Sequence, residues 1–339
     1  MSKYASFYDN PQGPGDARPT ALQILEDEGL IGDKLRGKTI LVTGANQGIG
    51  FETARALHAA GATVFLGVRD LANGQQAICD IQASSESPHP APLHLLSLSL
   101  DSSESVKRAA DTFLQQSEGK LNILILNAGV MGLPAGATED GYETHFAVNY
   151  LGHFLLFHVL KNSLLHSSTP TFNSRVVALT STAHRLGEVR FDDYNFTNGP
   201  YHPMRAYGQS KTANIYLANE IDRRYGSRGL HAVSVHPGSV LTTLTKHMDD
   251  EPLKLPEDWD DLRVLMTPAQ GAATTVYAAV SAEWEGKGGR YLAQCVEQGP
   301  ARDASSYTEM GYAAWAFDEE KASRLWEESC RMAGVGGAQ

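Results

Sequence analysis

The sequence predicts an α/β fold, a single doubly wound domain with a mostly seven-stranded parallel sheet and helices on both faces. Two observations carry that expectation. Short apolar runs, "KTILVTG", "ATVFLGV", "LHLLSL", "LNILILNAG", "RVVALTS", "LHAVSVHPG" and "GGRYLA", alternate with helix-like segments, the rhythm of βαβ units. The runs are continuously apolar rather than alternating, as strands buried on both faces of a parallel sheet require. No internal repeat interrupts the series, and no linker divides the chain after residue 37. Of the 339 residues, 42% are hydrophobic, which is enough to fill one large core.

Residues 1–36 read as an extension: a Gly/Pro-rich lead-in followed by the amphipathic "TALQILEDEGLIG". It either packs on the domain, taken as residues 37–339, or forms a flexible arm. The first strand, "KTILVTG", runs into "TGANQGIG" and then the helix-like "FETARALHAAG". Gly44, Gly48 and Gly50 permit a tight turn and close backbone approach, with Asn46, Gln47 and Ile49 completing it. Between a strand and a helix such a turn is a dinucleotide cradle, the pyrophosphate sitting at the helix N-terminus, which makes the fold Rossmann-type. The second strand ends at "GVRD". A carboxylate at that tip would read a ribose 2′-hydroxyl, whereas an Arg accommodates a 2′-phosphate. Arg69 holds the tip, so the expected cofactor is NADP(H). The alternative is that Arg69 is an ordinary surface residue and Asp70 reads the ribose. A Pro-rich loop, "SSESPHPAP" (84–92), leads to the third strand, and "DEEKASRLWEESCRM" reads as a closing helix.

In "AYGQSKTAN" (206–214) Tyr207 stands four places before Lys211. On a helix the two share a face, about 5–6 Å apart. A cation there favours the phenolate and is expected to lower a pKa that starts near 10. Such a phenol is an acid/base for work near neutral pH.

Composition excludes several classes. The formal net charge is −11 and no Lys/Arg cluster occurs, which argues against nucleic acid or an anionic membrane as partner. The start has no apolar signal segment, and no stretch is long and apolar enough to span a membrane. Three cysteines, Cys79, Cys295 and Cys330, lack metal-ligand spacing and fit a reducing, cytoplasmic compartment, where the "NFT" sequon at Asn195 has no consequence. No metal site is expected. His153 and His158 are five apart without a zinc-protease pattern and read as packing or cap residues. No "GxSxG" elbow exists, so Ser181 does not read as a hydrolase nucleophile.

Taken together, "TGANQGIG", "NAG" (127–129), "VNYLGHF" (148–154), "ALTSTAH" (178–184), "YGQSK" (207–211) and "HPGSVLT" (236–242) resemble, in order, the motifs of the short-chain dehydrogenase/reductase superfamily over residues 38 to 300. The resemblance implies that Tyr207 exchanges the proton and that Lys211 holds the nicotinamide ribose and tunes Tyr207. It implies that Ser181 polarises the carbonyl and that Asn149 supports a water link from Lys211. Asn127, Ala128 and Gly129 then flank the adenine ribose. Pro237, Gly238 and Val240 accompany Thr242, which contacts the nicotinamide carboxamide. Relatives often carry an Asp beside the adenine after the third strand. Here either Ser99 and Leu100 line the adenine, or a small shift lets Asp101 do so.

The long segment 182–206, "STAHRLG" and the late "TPAQGAATTVYAAV" resemble the branch of retinol dehydrogenases, WW-domain oxidoreductases and fungal reductases of aromatic and polyketide metabolites. The implied activity is hydride transfer between NADP(H) and an apolar ketone, aldehyde or alcohol, with a homodimer open to such a chain. The insertion 182–206 and the segment 243–267 are expected to form the substrate side. There Trp259, Leu262, Val264, Leu265 and Met266 either cover an apolar ligand or pack their own element. The acidic run 249–251 reads as a solvated turn. Two other functions fit the same motifs: a silent NADP-binding sensor, or a fold relative catalysing cyclisation or epimerisation. Retention of both Tyr207 and Lys211 favours the enzyme.

Overall fold

The computed structural model describes residues 3–85, 87–245, 262–303, 306 and 309–336. Seven apolar runs form seven parallel strands: β1 Thr39–Thr43, β2 Thr63–Val68, β3 Leu93–Ser97, β4 Ile123–Leu126, β5 Ser174–Leu179, β6 Leu230–His236 and β7 Arg290–Ala293. A two-residue strand that the sequence does not announce, β8 Val296–Glu297, adds antiparallel to β7. The order is β3-β2-β1-β4-β5-β6-β7-β8. Every residue of β1, β4 and β5 is buried; with both faces covered there is no polar side to alternate toward.

The principal helices are α1 Ala21–Asp27, α2 Gly48–Ala59, α3 Leu71–Ala83, α4 Ser103–Gln116, α5 Gly152–Ser167, α6 Pro203–Tyr225, α7 Ala273–Val280 and α8 Glu319–Met332. Their boundaries follow local chemistry. Thr20, Asp70, Ser102 and Asp318 cap α1, α3, α4 and α8 by accepting a first-turn amide, while Pro203 at the start of α6 forgoes an amide that would have no partner. Two apolar layers result. Ile40, Val42, Val64, Leu66 and Val276 lie in one, Leu41, Phe65, Phe113, Phe154 and Trp326 in the other.

The N-terminal segment packs into the first layer: Tyr4, Ile24 and Leu25 are buried with α7 and β1 residues. Arg18, itself buried, donates to the carbonyls of Arg263, Val264 and Leu265 and pairs with Asp16 at 2.8 Å. The chain just before α7 is thereby tied to the N-terminal segment. Met266 is buried in the same core, whereas Leu262 is exposed. Trp259 and the acidic run 249–251 lie outside the described residues. No helix among the described residues is long and apolar enough to cross a membrane.

Candidate active site

Strands β1 and β4 are neighbours, yet the chain between them runs outward through β2 and β3 and back. The crevice beyond their C-terminal ends is where a doubly wound sheet accepts ligands, and a cleft of about 390 Å³ opens there. Gly44, Asn46, Gln47, Gly48, Ile49 and Gly50 form one part of its lining. Gln47 is extended and α2 begins at Gly48, so first-turn amides without intrahelical partners lie at the cleft. Two glycines are there by necessity. Gly44 has φ +65°, and a Cβ on it would stand 2.9 Å from Ala128 Cα. A Cβ on Gly50 would stand 2.2 Å from the Gly44 carbonyl oxygen.

Arg69 lines the cleft one residue past β2. Asp70, the rival reader of the ribose, is committed elsewhere: its carboxylate caps α3, accepting from Asn73 N at 3.0 Å and Asn73 Nδ2 at 2.9 Å. Ser99, Leu100 and Asp101 all line the far side, and the Ser99 hydroxyl donates to Asp101 Oδ1 at 2.5 Å. Asn127, Ala128 and Gly129 border the cleft as well. The Asn127 amide does not face outward, however, and donates to the Thr43 carbonyl at 2.8 Å. Pro237 and Thr242 also line the cleft, whereas Gly238 and Val240 are not part of its lining. Val240 pairs with Met266 and packs against the first apolar layer.

Tyr207 and Lys211 sit on the first turns of α6, both buried and both lining the cleft. They share a face, with Lys211 Nζ 5.4 Å from the centre of the Tyr207 ring. Ser181 caps a short helical turn, Thr182–Leu186, its hydroxyl accepting from Ala183 N at 3.1 Å, and it stands near enough to the Tyr207 phenol to favour the phenolate. The expected lowering of the Tyr207 pKa does not appear. Burial pushes the phenol up to about 12, and the Ser181 hydroxyl only partly opposes this. The same burial brings Lys211 down to about 8. The ammonium donates to the Leu179 carbonyl at 3.1 Å, so its nearest partner is a backbone oxygen rather than the phenol. Tyr207 is therefore protonated at neutral pH, the form that gives a proton away.

Asn149 is buried in a π-helical turn, Ala147–Leu151. Its Oδ1 accepts from Val130 N at 2.8 Å, and its Nδ2 donates to the Val130 carbonyl at 3.0 Å and to Ser210 Oγ at 2.9 Å. A Cβ on Gly129 would stand 3.2 Å from Asn149 Oδ1 and 3.6 Å from Lys211 Nζ, so the three meet at one place.

One residue of this framework was not legible as such. His153 bridges β1 to the π-helical turn, Nε2 lying 2.9 Å from Thr43 Oγ1 and Nδ1 2.9 Å from the Asn149 carbonyl. Thr43 Oγ1 already accepts from Asn127 N and Ala128 N. The consistent assignment therefore has Thr43 donating to Nε2 and the Nδ1 proton going to Asn149. Burial holds the imidazole down to about 4, in the neutral form that this wiring needs. The histidine in "LGHF" carries no sequence signal for such a bridge. Among the described residues no group of three or more His, Cys, Asp or Glu is placed to hold a metal ion.

The family model for short chain dehydrogenase matches residues 38–252. The chain belongs to the short-chain dehydrogenase family. The short-chain dehydrogenase/reductase prx1 of Penicillium roqueforti is 47% identical over 334 residues, covering 97% of this chain and 94% of the relative. Mouse retinol dehydrogenase 12 is 36% identical, covering 89% of this chain and 88% of its own. A crystal structure of an uncharacterised protein from Mycobacterium paratuberculosis superposes with a TM-score of 0.68 at 29% identity, covering 92% and 98% of the two chains. This dehydrogenase is thus an oxidoreductase, and its family works with NAD(P). The residues present fit such a cofactor: glycines whose Cβ atoms would fill the cradle, free amides of α2 beside them, and one cleft reaching from Arg69 to Tyr207.

Proposed function

We propose that this dehydrogenase is an NADP(H)-dependent carbonyl reductase acting on apolar ketones or aldehydes, with Tyr207 as proton donor. The observation that carries the reading is one cleft lined by Arg69 and by the Tyr207–Lys211 pair, with Asp70 turned away into its helix cap. Arg69 would grip the 2′-phosphate through charge-assisted hydrogen bonds. The turn of residues 44–50 would hold the pyrophosphate. Lys211 and Thr242 would hold the nicotinamide end, which supplies the hydride when bound.

The remaining work falls to the chain's own hydroxyls. As negative charge develops on the carbonyl oxygen, the Ser181 hydroxyl donates to it and the Tyr207 phenol releases its proton to it. The substrate end of the cleft is walled by Val130, Met131, Leu133 and Val148, which suits an apolar substrate. The name of the mouse relative assigns it retinol, itself an apolar alcohol.

Fluorescence titration is expected to show tighter binding of NADPH than of NADH. Arg69→Ala should remove most of that difference, a loss of roughly 1.5–3 kcal/mol for a charged hydrogen bond. Equal affinities in the parent protein would overturn the NADP reading. Ser181→Ala should leave NADPH affinity unchanged and slow carbonyl reduction on the order of 100-fold, the usual cost of one donor to a developing oxyanion. Full activity in that variant would remove Ser181 from the chemistry.

A further inference from the structure

Beside Tyr207 stands a buried polar group that the chemistry above does not use. Glu143 is 1% exposed and His145 not at all, and the two pair through Nδ1 and Oε1 at 2.7 Å. His145 Nε2 accepts from Leu133 N at 3.2 Å, which places the ring proton on Nδ1, facing Glu143. The second carboxylate oxygen accepts from Phe146 N at 2.8 Å. The Tyr201 hydroxyl donates to Glu143 Oε1 at 2.9 Å and lies 3.3 Å from the Leu133 carbonyl oxygen. The Glu143 amide donates to Asn195 Oδ1 at 2.9 Å.

We propose that Glu143, His145 and Tyr201 are positioning residues for the carbonyl substrate, clamping Leu133 so that the apolar wall of residues 130–133 keeps its place beside Tyr207. The reading of the wall as a substrate surface rests on the proposed reductase function; the clamp itself does not.

Three features support it. Leu133 N is held by His145, and the carboxylate that orients His145 is in turn bonded by Tyr201 from the insertion 182–206, so two separate parts of the chain fix this one contact. The loop it belongs to has no ladder of its own from 127 to 136, apart from its final approach to the next turn, and includes Gly129, Gly132 and Gly136, so it lacks intrinsic stiffness. Burying a carboxylate is costly unless it is fully hydrogen-bonded, and an apolar replacement is often as stable. A buried, fully bonded Glu143 is therefore better explained by the single geometry it imposes than by stability. That geometry reaches the chemistry directly, since the His145 ring stands edge-on to the Tyr207 ring at 6.1 Å, and Met131, Leu133 and Thr144 line the same cleft as Tyr207.

The test uses Tyr201→Phe, His145→Leu and His145→Gln, the last keeping an acceptor for Leu133 N and a donor for Glu143. NADPH affinity, KM and kcat for 4-nitroacetophenone, and amide hydrogen exchange along the whole chain are measured in each. Tyr201→Phe and His145→Leu should raise KM roughly tenfold, because a small displacement of a positioning wall is costly to reactant orientation. NADPH affinity should stay within about twofold, since the cradle is untouched. Exchange should quicken selectively in the peptide spanning 130–136, and His145→Gln should restore part of both effects. Exchange that is unchanged there, or quickened evenly over the chain, would overturn the clamp. So would selective quickening with KM unchanged, because Leu133 would then not act on substrate. If the parent protein reduces no ketone, the reductase reading fails, and hydrogen exchange still decides the clamp.

Discussion

Tyr207→Phe is expected to lower carbonyl reduction by roughly 100- to 10,000-fold, the usual contribution of a positioned acid/base, with NADPH affinity close to that of the parent. The phenol is buried at the cleft and protonated at neutral pH, its pKa pushed up to about 12 by burial. Phe keeps the ring and its edge contact with His145 and removes only the hydroxyl with its proton. The fold should therefore survive; near-ultraviolet circular dichroism and the melting temperature check this, and stopped-flow NADPH oxidation reads the loss. The pH dependence has a definite sign. With a pKa near 12, the phenol keeps its proton across the working range, so Tyr207 itself should impose no fall on reduction below about pH 11. Undiminished turnover in Tyr207→Phe would remove the mechanism.

Lys211→Met should produce the second large effect, and a different one. Burial brings the Lys211 ammonium down to about 8, so the side chain is a cation below that pH and neutral above it. A cation beside the phenol stabilises the phenolate left after proton donation. Parent turnover should therefore fall as pH rises through about 8. The Met variant should be slower at every pH, bind NADPH more weakly for want of a donor to the ribose, and show no inflection near 8. A variant profile parallel to that of the parent would separate Lys211 from the proton chemistry. The same substitution removes the donor to the Leu179 carbonyl, so a modest drop in melting temperature is expected alongside.

Much of this dehydrogenase was readable from its chain. Each of the seven strands grows from a short apolar run, and α1, α3, α4, α6 and α8 each start on a side-chain cap or a proline. Gly44 and Gly50 were identifiable because backbone contact at 2.9 and 2.2 Å from an added Cβ tolerates no other residue, a constraint that leaves its mark in sequence. β8 was missed because two residues carry no periodicity. The clamp of Glu143, His145 and Tyr201 was missed for another reason. Its members are separated by up to 58 positions, and nothing in "DGYETHF" says which distant hydroxyl will meet the carboxylate.

The spacing of Tyr207 and Lys211 by itself determined that they share a helical face, since 3.6 residues per turn leave no choice. The succession of apolar runs likewise pointed to the doubly wound sheet, while the strand order that opens the crevice between β1 and β4 came from the tertiary structure. What spacing could not determine was protonation. The pKa of Tyr207 depends on how completely the surrounding layers exclude water and on whether the ammonium faces the phenol or a carbonyl. Tertiary packing decided both, raising the phenol where the local pair alone predicted a fall. Packing also decided which of two adjacent residues lines the cleft. Asp70 was drawn into the cap of α3, and Arg69 was left lining the cleft, because a helix start needs an acceptor for its amides before any ligand arrives.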